Sequence, residues 1–482
     1  MTYTYVKRFG LRRKTAAKPG PQDVELLARL HEPGCPICAP INEQKRSYFF
    51  WLFNENYADQ GVLERFAASC GFCLAHAACA AQYAAAGSPL SYMYEYIIHR
   101  TRSLIAQEIA GTARQPVLVT PLLCPTCESF EDSARRAVWF LAQLLQTPDV
   151  IECYGKPALL CFPHLRFLAP HVTPAVLTHM LAIHMTALAS ATQALPALRT
   201  ACAATTAPET PKTKQRIDAA MALLVDHGVD PAPLPPCYTP QDPKRLPDPL
   251  HDFAASLNRT DGCPVCFEVA RAACEWITWL DGAAVQEQNI SDLLPLCPEH
   301  IAAFVRLGSA PLALAVMRNA LQATLERTAF AQRVLLPKES HGRLGARICL
   351  KLATPRQHLA AAVALLQRPW YCSVCTRLAT AETRATELLF ALLETPQHQA
   401  AFDRGHGLCM RHFSQALACV PNQALRPLLL RTQSAKLACL AWEVEEARRK
   451  ATWFGRPETR GAEGTAWRRA LYRFSGSWGP CT

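Results

Sequence analysis

The sequence lacks the short motifs by which many enzymes are read. No Gly-rich phosphate loop, serine elbow, His-Glu-x-x-His helix or pair of catalytic carboxylates is visible in its 482 residues. That leaves an enzyme acting in a cleft as the weakest of three functional readings, with no small-molecule substrate implied. Sustained apolar–polar alternation is missing too, and the run Val117–Val119 is too short to count, so strands are not expected. Residues 1–20 carry Lys7, Arg8, Arg12, Arg13, Lys14 and Lys18 with no apolar core behind them. A secretory leader is therefore not expected, and the thiols are read as reduced, in a cytoplasm. The most apolar stretch, 174–190, is interrupted by His179 and His184 and reads as too short to cross a bilayer, so a membrane is not expected either.

Cysteine is abundant, with 22 residues, and its arrangement is ordered. A Cys-x2-Cys is followed four times by a Cys-x2-His: Cys35, Cys38, Cys73 and His76; Cys124, Cys127, Cys161 and His164; Cys263, Cys266, Cys297 and His300; Cys372, Cys375, Cys409 and His412. The interval from the second Cys to the third is 35, 34, 31 and 34 residues. Each copy reads as one closed shell of three thiolates and an imidazole, the donor set of structural zinc, which gives four zinc ions per chain. Disulfides fit poorly, because a chain of this length builds its own core. An iron–sulfur cluster held by three Cys and one His is the alternative cofactor. Cys70 and Cys79 stand close enough to the first copy to compete for its metal. The other cysteines outside the pattern read as small buried hydrophobes.

Pro follows the first Cys in three copies and stiffens the turn, which then enters a helix. The stripes Val138, Leu141, Leu144, Leu145 and Val269, Ala273, Trp276, Leu280 have helical spacing. Trp51, Trp139, Trp279 and Leu388 stand 12 or 13 residues past each second Cys and are expected on a packed face rather than in a ligand box. Each Cys-x2-His is expected to open a short helix, whose N-terminus favours thiolate. Long helices are expected over 89–110, 174–200, 311–334 and 422–450. The predicted fold is all-α, with four tandem helical units arranged as two halves. The expected divisions are a basic tail 1–20, an N-terminal half 21–202, a Pro-rich linker 203–262 with one helix near 212–227, a C-terminal half 263–450, and an Arg/aromatic tail 451–482.

Twelve thiolates and four Zn²⁺ would lower the formal charge of +11 to about +7. The basic residues cluster at the two ends, which suits a protein or nucleic-acid partner without requiring one. In the C-terminal tail Trp453, Phe454, Trp467, Tyr472, Phe474 and Trp478 are interleaved with arginines. Packing back on the bundle is preferred there to a base-stacking strip.

The segments Gly71-Phe72-Cys73-Leu74-Ala75-His76 and Gly407-Leu408-Cys409-Met410-Arg411-His412, with their Cys-Pro-x-Cys partners, resemble an uncharacterised bacterial family of helical proteins. The tail from Gly461 to Ala470 is similar to that family's tail. Ser373 replaces the Pro, and the third copy has no Gly, but no ligand is lost. The resemblance implies a helical fold and metal binding, and no activity. A non-enzymatic zinc scaffold ranks first, and a redox- or metal-responsive protein using the clusters as thiol switches ranks second. On this reading, removing 451–482 leaves all four metal ions bound.

Overall fold

A computed structural model describes residues 21–83, 87–112, 124–203, 211–225, 248–285, 296–307, 309–336, 354–368, 371–452 and 458–476. The basic stretch 1–20, Val117–Val119, linker residues 226–247, Cys237, Cys349, Cys481, Trp453, Phe454 and Trp478 lie outside them. Among the described residues the fold is all-α. Among these residues no strand occurs, and β-pairing is limited to an isolated bridge between Gly34 and Ala158. The long helices form where they were expected, as Ser88–Ile109, Pro174–Ala203, Ala310–Leu335 and Leu425–Ala451. Pro in the first turn suits a position whose N–H has no helical partner, and it marks the start of the first three. The linker contains the helix Pro211–Leu224.

The chain divides into two compact units, and the division departs from the expected N- and C-terminal halves. Unit one draws on residues 1–43, 131–229 and 279–373, and unit two on 44–130, 230–278 and 374–482. The physical reason lies in the helices that begin at the Cys-x2-Cys turns. The chain passes from one unit to the other inside Cys38–Trp51, Pro125–Leu144 and Pro264–Val285, so sequence neighbours separate along a helix.

In unit one, Pro174–Ala203 packs along Ala310–Leu335, which also carries Pro355–Gln367. Leu177, Met180 and Leu181 lie buried on the first of these helices. His184 is on the same face, with its Nε2 2.6 Å from the Tyr154 hydroxyl. Burial drives the His184 pKa down to about 3, so this imidazole is a neutral core group. The helix spans 30 residues and extends the apolar stretch 174–190, which alone reads as too short to cross a bilayer. By length and composition alone it suffices to cross a membrane. Here its Leu177, Met180 and Leu181 belong to the apolar core of unit one.

In unit two, Ser88–Ile109 packs along Leu425–Ala451. Ion pairs Arg448–Glu95 and Arg426–Glu108 join the two helices, and His99 meets Glu445 at 2.8 Å. The helix Ala466–Ser475 packs on both and buries Ala470, Leu471 and Phe474. The C-terminal segment thus folds back, as preferred. Ala466–Ser475 belongs to the core of unit two.

The tryptophans past the Cys-x2-Cys turns do not sit on the packed face. Trp139 is 52% exposed and Trp279 49%, whereas their neighbours Val138 and Leu280 are buried at 1% and 0%. One residue turns an α-helix by about 100°, so a side chain next to the apolar stripe points away from it. Trp51 is borderline exposed and Leu388 half-buried.

Leu437 is fully buried on Leu425–Ala451. Leu437→Ala should cost about 2–5 kcal/mol through lost apolar burial and a residual cavity, read as a lowered denaturant midpoint in metal-replete protein.

Candidate metal centres

Both kinds of ligand pair stand at helix N-termini. The carbonyl of Cys124 accepts the first helical hydrogen bond from Glu128 N at 3.0 Å, and that of Cys263 from Phe267 N at 3.1 Å. The carbonyls of Cys73, Cys161, Cys297 and Cys409 likewise accept from Ala77, Leu165, Ile301 and Phe413 at 2.8–2.9 Å. The first ligand of such a pair therefore caps its helix, and the second follows one turn later on the same face. Orphan N–H groups there give the sulfurs a positive environment. The Gly-x-Cys-x-x-His motif has its own backbone reason. Gly71 and Gly407 adopt φ of +87° and +73°, a left-handed conformation that side chains disfavour, two residues before the ligating Cys.

All sixteen expected ligands converge into four groups of three Cys and one His. Their grouping differs from the sequence copies. Cys35 and Cys38 meet Cys161 and His164, while Cys73 and His76 meet Cys124 and Cys127. Cys263 and Cys266 meet Cys409 and His412, while Cys297 and His300 meet Cys372 and Cys375. Each Cys-x2-Cys is completed by the Cys-x2-His of the neighbouring copy, outer with outer and inner with inner. Helix length explains this. Pro125–Leu144 and Ser373–Leu393 have 20 and 21 residues and carry the chain about 30 Å from their first turns. The helices that follow, Pro148–Cys153 and Pro396–Arg404, have only 6 and 9 residues, or about 9–14 Å of return. A Cys-x2-His reached this way ends far from the Cys-x2-Cys of its own copy.

Within each group the ligand atoms lie within 4.8 Å of one another. His164 Nδ1 is 3.5, 3.3 and 3.1 Å from the sulfurs of Cys35, Cys38 and Cys161. His412 Nδ1 is 3.4, 3.3 and 3.3 Å from those of Cys263, Cys266 and Cys409. His76 Nδ1 is 3.3, 3.8 and 3.2 Å from those of Cys73, Cys124 and Cys127. His300 Nδ1 is 3.0 and 3.5 Å from those of Cys297 and Cys372. Sulfur–sulfur distances of 3.7 Å join Cys38 to Cys161, Cys73 to Cys127 and Cys266 to Cys409, far beyond a disulfide bond of about 2.05 Å. These groups are able to hold metal ions.

Burial opposes charge on His76, yet its contacts with Cys124 and Cys73 raise its pKa to about 9. His412 shifts up for the same reason: burial opposes the charge, and Cys409 and Cys263 outweigh it. A metal ion entering such a set displaces protons, so binding strengthens as pH rises. The Cys35 and Cys263 groups are buried throughout, the Cys73 group is partly buried, and in the Cys297 group Cys375 is exposed.

Cys70 and Cys79 belong to none of the groups. Burial pushes the Cys70 thiol up to about 11, which makes it a poor competitor for metal. Glu299 is exposed. Glu382 accepts from His412 Nε2 at 2.8 Å and also pairs with Arg411 at 3.0 Å. Burial raises the Glu382 pKa, but the contact with His412 outweighs it and holds the carboxyl below its usual range. A hydrogen bond to the second ring nitrogen orients a ligating imidazole and increases its basicity. No sequence signal singles out Glu382, because its partner lies 30 residues away. Arg473 was equally hidden. Its Nη1 donates to the carbonyls of His406 and Leu408 at 2.6 and 3.1 Å, just before Cys409.

Residues 249–429 match a family described as "Family of unknown function (DUF6062)". That stretch includes every ligand of the Cys263 and Cys297 groups. No curated protein and no solved structure matches the chain.

The crossed grouping has a stoichiometric signature. Cys35→Ser combined with Cys161→Ser should lower bound metal from four ions to three, and Cys35→Ser with Cys73→Ser to two. Elemental analysis of the gel-filtered variants distinguishes this from pairing within each copy, which reverses the two results. Glu382→Ala should weaken one centre by about 10–100-fold in chelator competition and leave the other three unchanged.

Proposed function

We propose that this chain is a non-enzymatic, zinc-stabilised helical scaffold of the cytoplasm, with four structural Cys3His centres and a surface for a protein or nucleic-acid partner. The observation that carries the proposal is the shape of the ligand groups. A tetrahedron with zinc–sulfur bonds of about 2.3 Å and a zinc–nitrogen bond of about 2.0 Å has edges of about 3.8 Å between sulfurs and about 3.5 Å from sulfur to nitrogen. The sulfur–sulfur distances are 3.7 Å, and those around His412 are 3.3–3.4 Å. Ligand atoms this close leave room for one ion, which favours zinc over an iron–sulfur cluster. Three thiolates and one imidazole fill the shell, and a filled shell is the mark of a structural site.

The ligands also join distant parts of the chain, 123–129 residues apart in the Cys35 group and 143–149 in the Cys263 group. An ion holding such segments contributes its binding free energy to folding. The same outer–inner nesting in 35–164 and 263–412 supports descent from a duplicated two-centre ancestor.

A second reading rests on the exposure of Cys375. Peroxide acting on two thiolates of that group gives a disulfide and two water molecules after taking up two protons, and releases the ion, so the group would serve as a thiol switch.

Protein purified without added metal should be colourless and contain four zinc ions per chain, and stripping them should abolish the cooperative thermal transition. Brown protein with sulfide-linked iron overturns the zinc assignment. Release of a single zinc ion by stoichiometric peroxide, reversed by thiol and zinc, favours the switch.

A further inference from the structure

A zinc ion with three thiolates and a neutral imidazole carries one net negative charge. The Cys263, Cys266, Cys409 and His412 group is buried throughout, so this charge must be balanced inside the protein. Resting on the zinc reading above, we infer that Arg473 is the counter-ion of this centre and that residues 461–476 are a strap that seals it.

Three observations support this. First, Arg473 is only 7% exposed, and no carboxylate pairs with it among the described residues. Burial opposes its charge and pulls its pKa down to about 10; the nearby Cys263 and Cys409 sulfurs favour the charge, and Arg469 opposes it. A buried guanidinium without a carboxylate is costly unless another anion balances it. Second, the same side chain holds the turn that presents Cys409, through the His406 and Leu408 carbonyls. Third, the strap continues onto the sulfurs. A Cβ built on Gly476 would lie 3.6 Å from Cys409 Sγ and 3.9 Å from Cys266 Sγ, and φ there is +79°. A Cβ at 476 would sit in ordinary van der Waals contact with the sulfurs, and a side chain there is disfavoured by that backbone.

The strap is anchored along its length. Lys450 meets Glu463 at 2.9 Å, and Glu443 meets Arg469 at 2.6 Å. Trp467 lies so close over Gly87 that a Cβ there would fall 2.4 Å from its Nε1, and Phe474 packs against Tyr94 with ring centroids 5.6 Å apart. The Cys35 group is supported differently. The neutral hydroxyl of Tyr154 accepts from Leu160 N at 3.3 Å, just before Cys161. Charge compensation from Arg473 therefore belongs to the Cys263 centre, and the strap makes its exchange depend on docking of the C-terminal segment. The expectation that removing 451–482 leaves all four ions is replaced by loss of this one.

The test uses the full-length zinc-loaded protein and a chromophoric chelator. Arg473→Met keeps most of the side-chain stem and removes the charge. It should speed release of one ion of four by about tenfold or more, the scale of a lost supporting contact, and leave three at the wild-type rate. Arg473→Lys should restore most of the slow release. In cobalt-substituted protein, Arg473→Met should move the thiolate-to-metal charge-transfer band of one centre to lower energy, because less positive potential acts on the sulfurs. In a His412→Ala background the substitution should change nothing. Gly476→Val, which leaves the arginine in place and lifts the strap, should accelerate the same ion. If Arg473→Met does not fold, Gly476→Val and Arg473→Lys decide the matter. Wild-type release in Gly476→Val, or Arg473→Lys as fast as Arg473→Met, overturns the inference. A wild-type protein without metal overturns the zinc reading instead.

Discussion

Two ligands at the N-terminus of one helix approach a metal ion from one side only. Everything distinctive in this fold follows from that constraint. A cap residue and its neighbour one turn later fill half of a tetrahedron, and the other half must come from a second helix start. Four ions therefore require eight such starts. The partner of each start lies from 48 to 149 residues along the chain. Closing loops of that length costs conformational entropy that local helix formation does not return. The convergent sulfurs and imidazoles supply a geometry in which a metal ion could hold such segments together.

The same constraint accounts for the crossed grouping and the interleaved units. A helix that starts at a ligand pair and runs 20 residues or more cannot bring the next pair back within one short return. Outer pairs then meet outer pairs, inner meet inner, and the compact units are assembled from alternating stretches of sequence. A substitution near one ligand pair therefore bears on a segment far along the chain.

The four centres share donors but not surroundings. Glu382 accepts from the imidazole of the Cys263 group, and Arg473 holds the turn before Cys409. The neutral Tyr154 supports the turn of the Cys35 group, and the Cys297 group presents Cys375 to solvent. Equal ligand sets in unequal settings differ in exchange and in thiol chemistry, because burial and nearby charge set the reactivity of a thiolate.

The sequence by itself determined the local features. Ligand identity was legible because a pair at i and i+3 is specified by a few adjacent residues. Helix type and length were legible from the spacing of residues such as Val138, Leu141 and Leu145, and from Pro at helix starts. That the C-terminal segment folds back was legible from its apolar rings. Only the tertiary structure decided which pairs meet in one group, that Glu382 stands behind His412, that Trp139 and Trp279 face outward, and that Arg473 and Gly476 lie against the Cys409 turn. The reason is one of range. Spacing fixes what a turn of helix can do, whereas the meeting of residues more than a hundred positions apart depends on the summed lengths and packing of every helix between them.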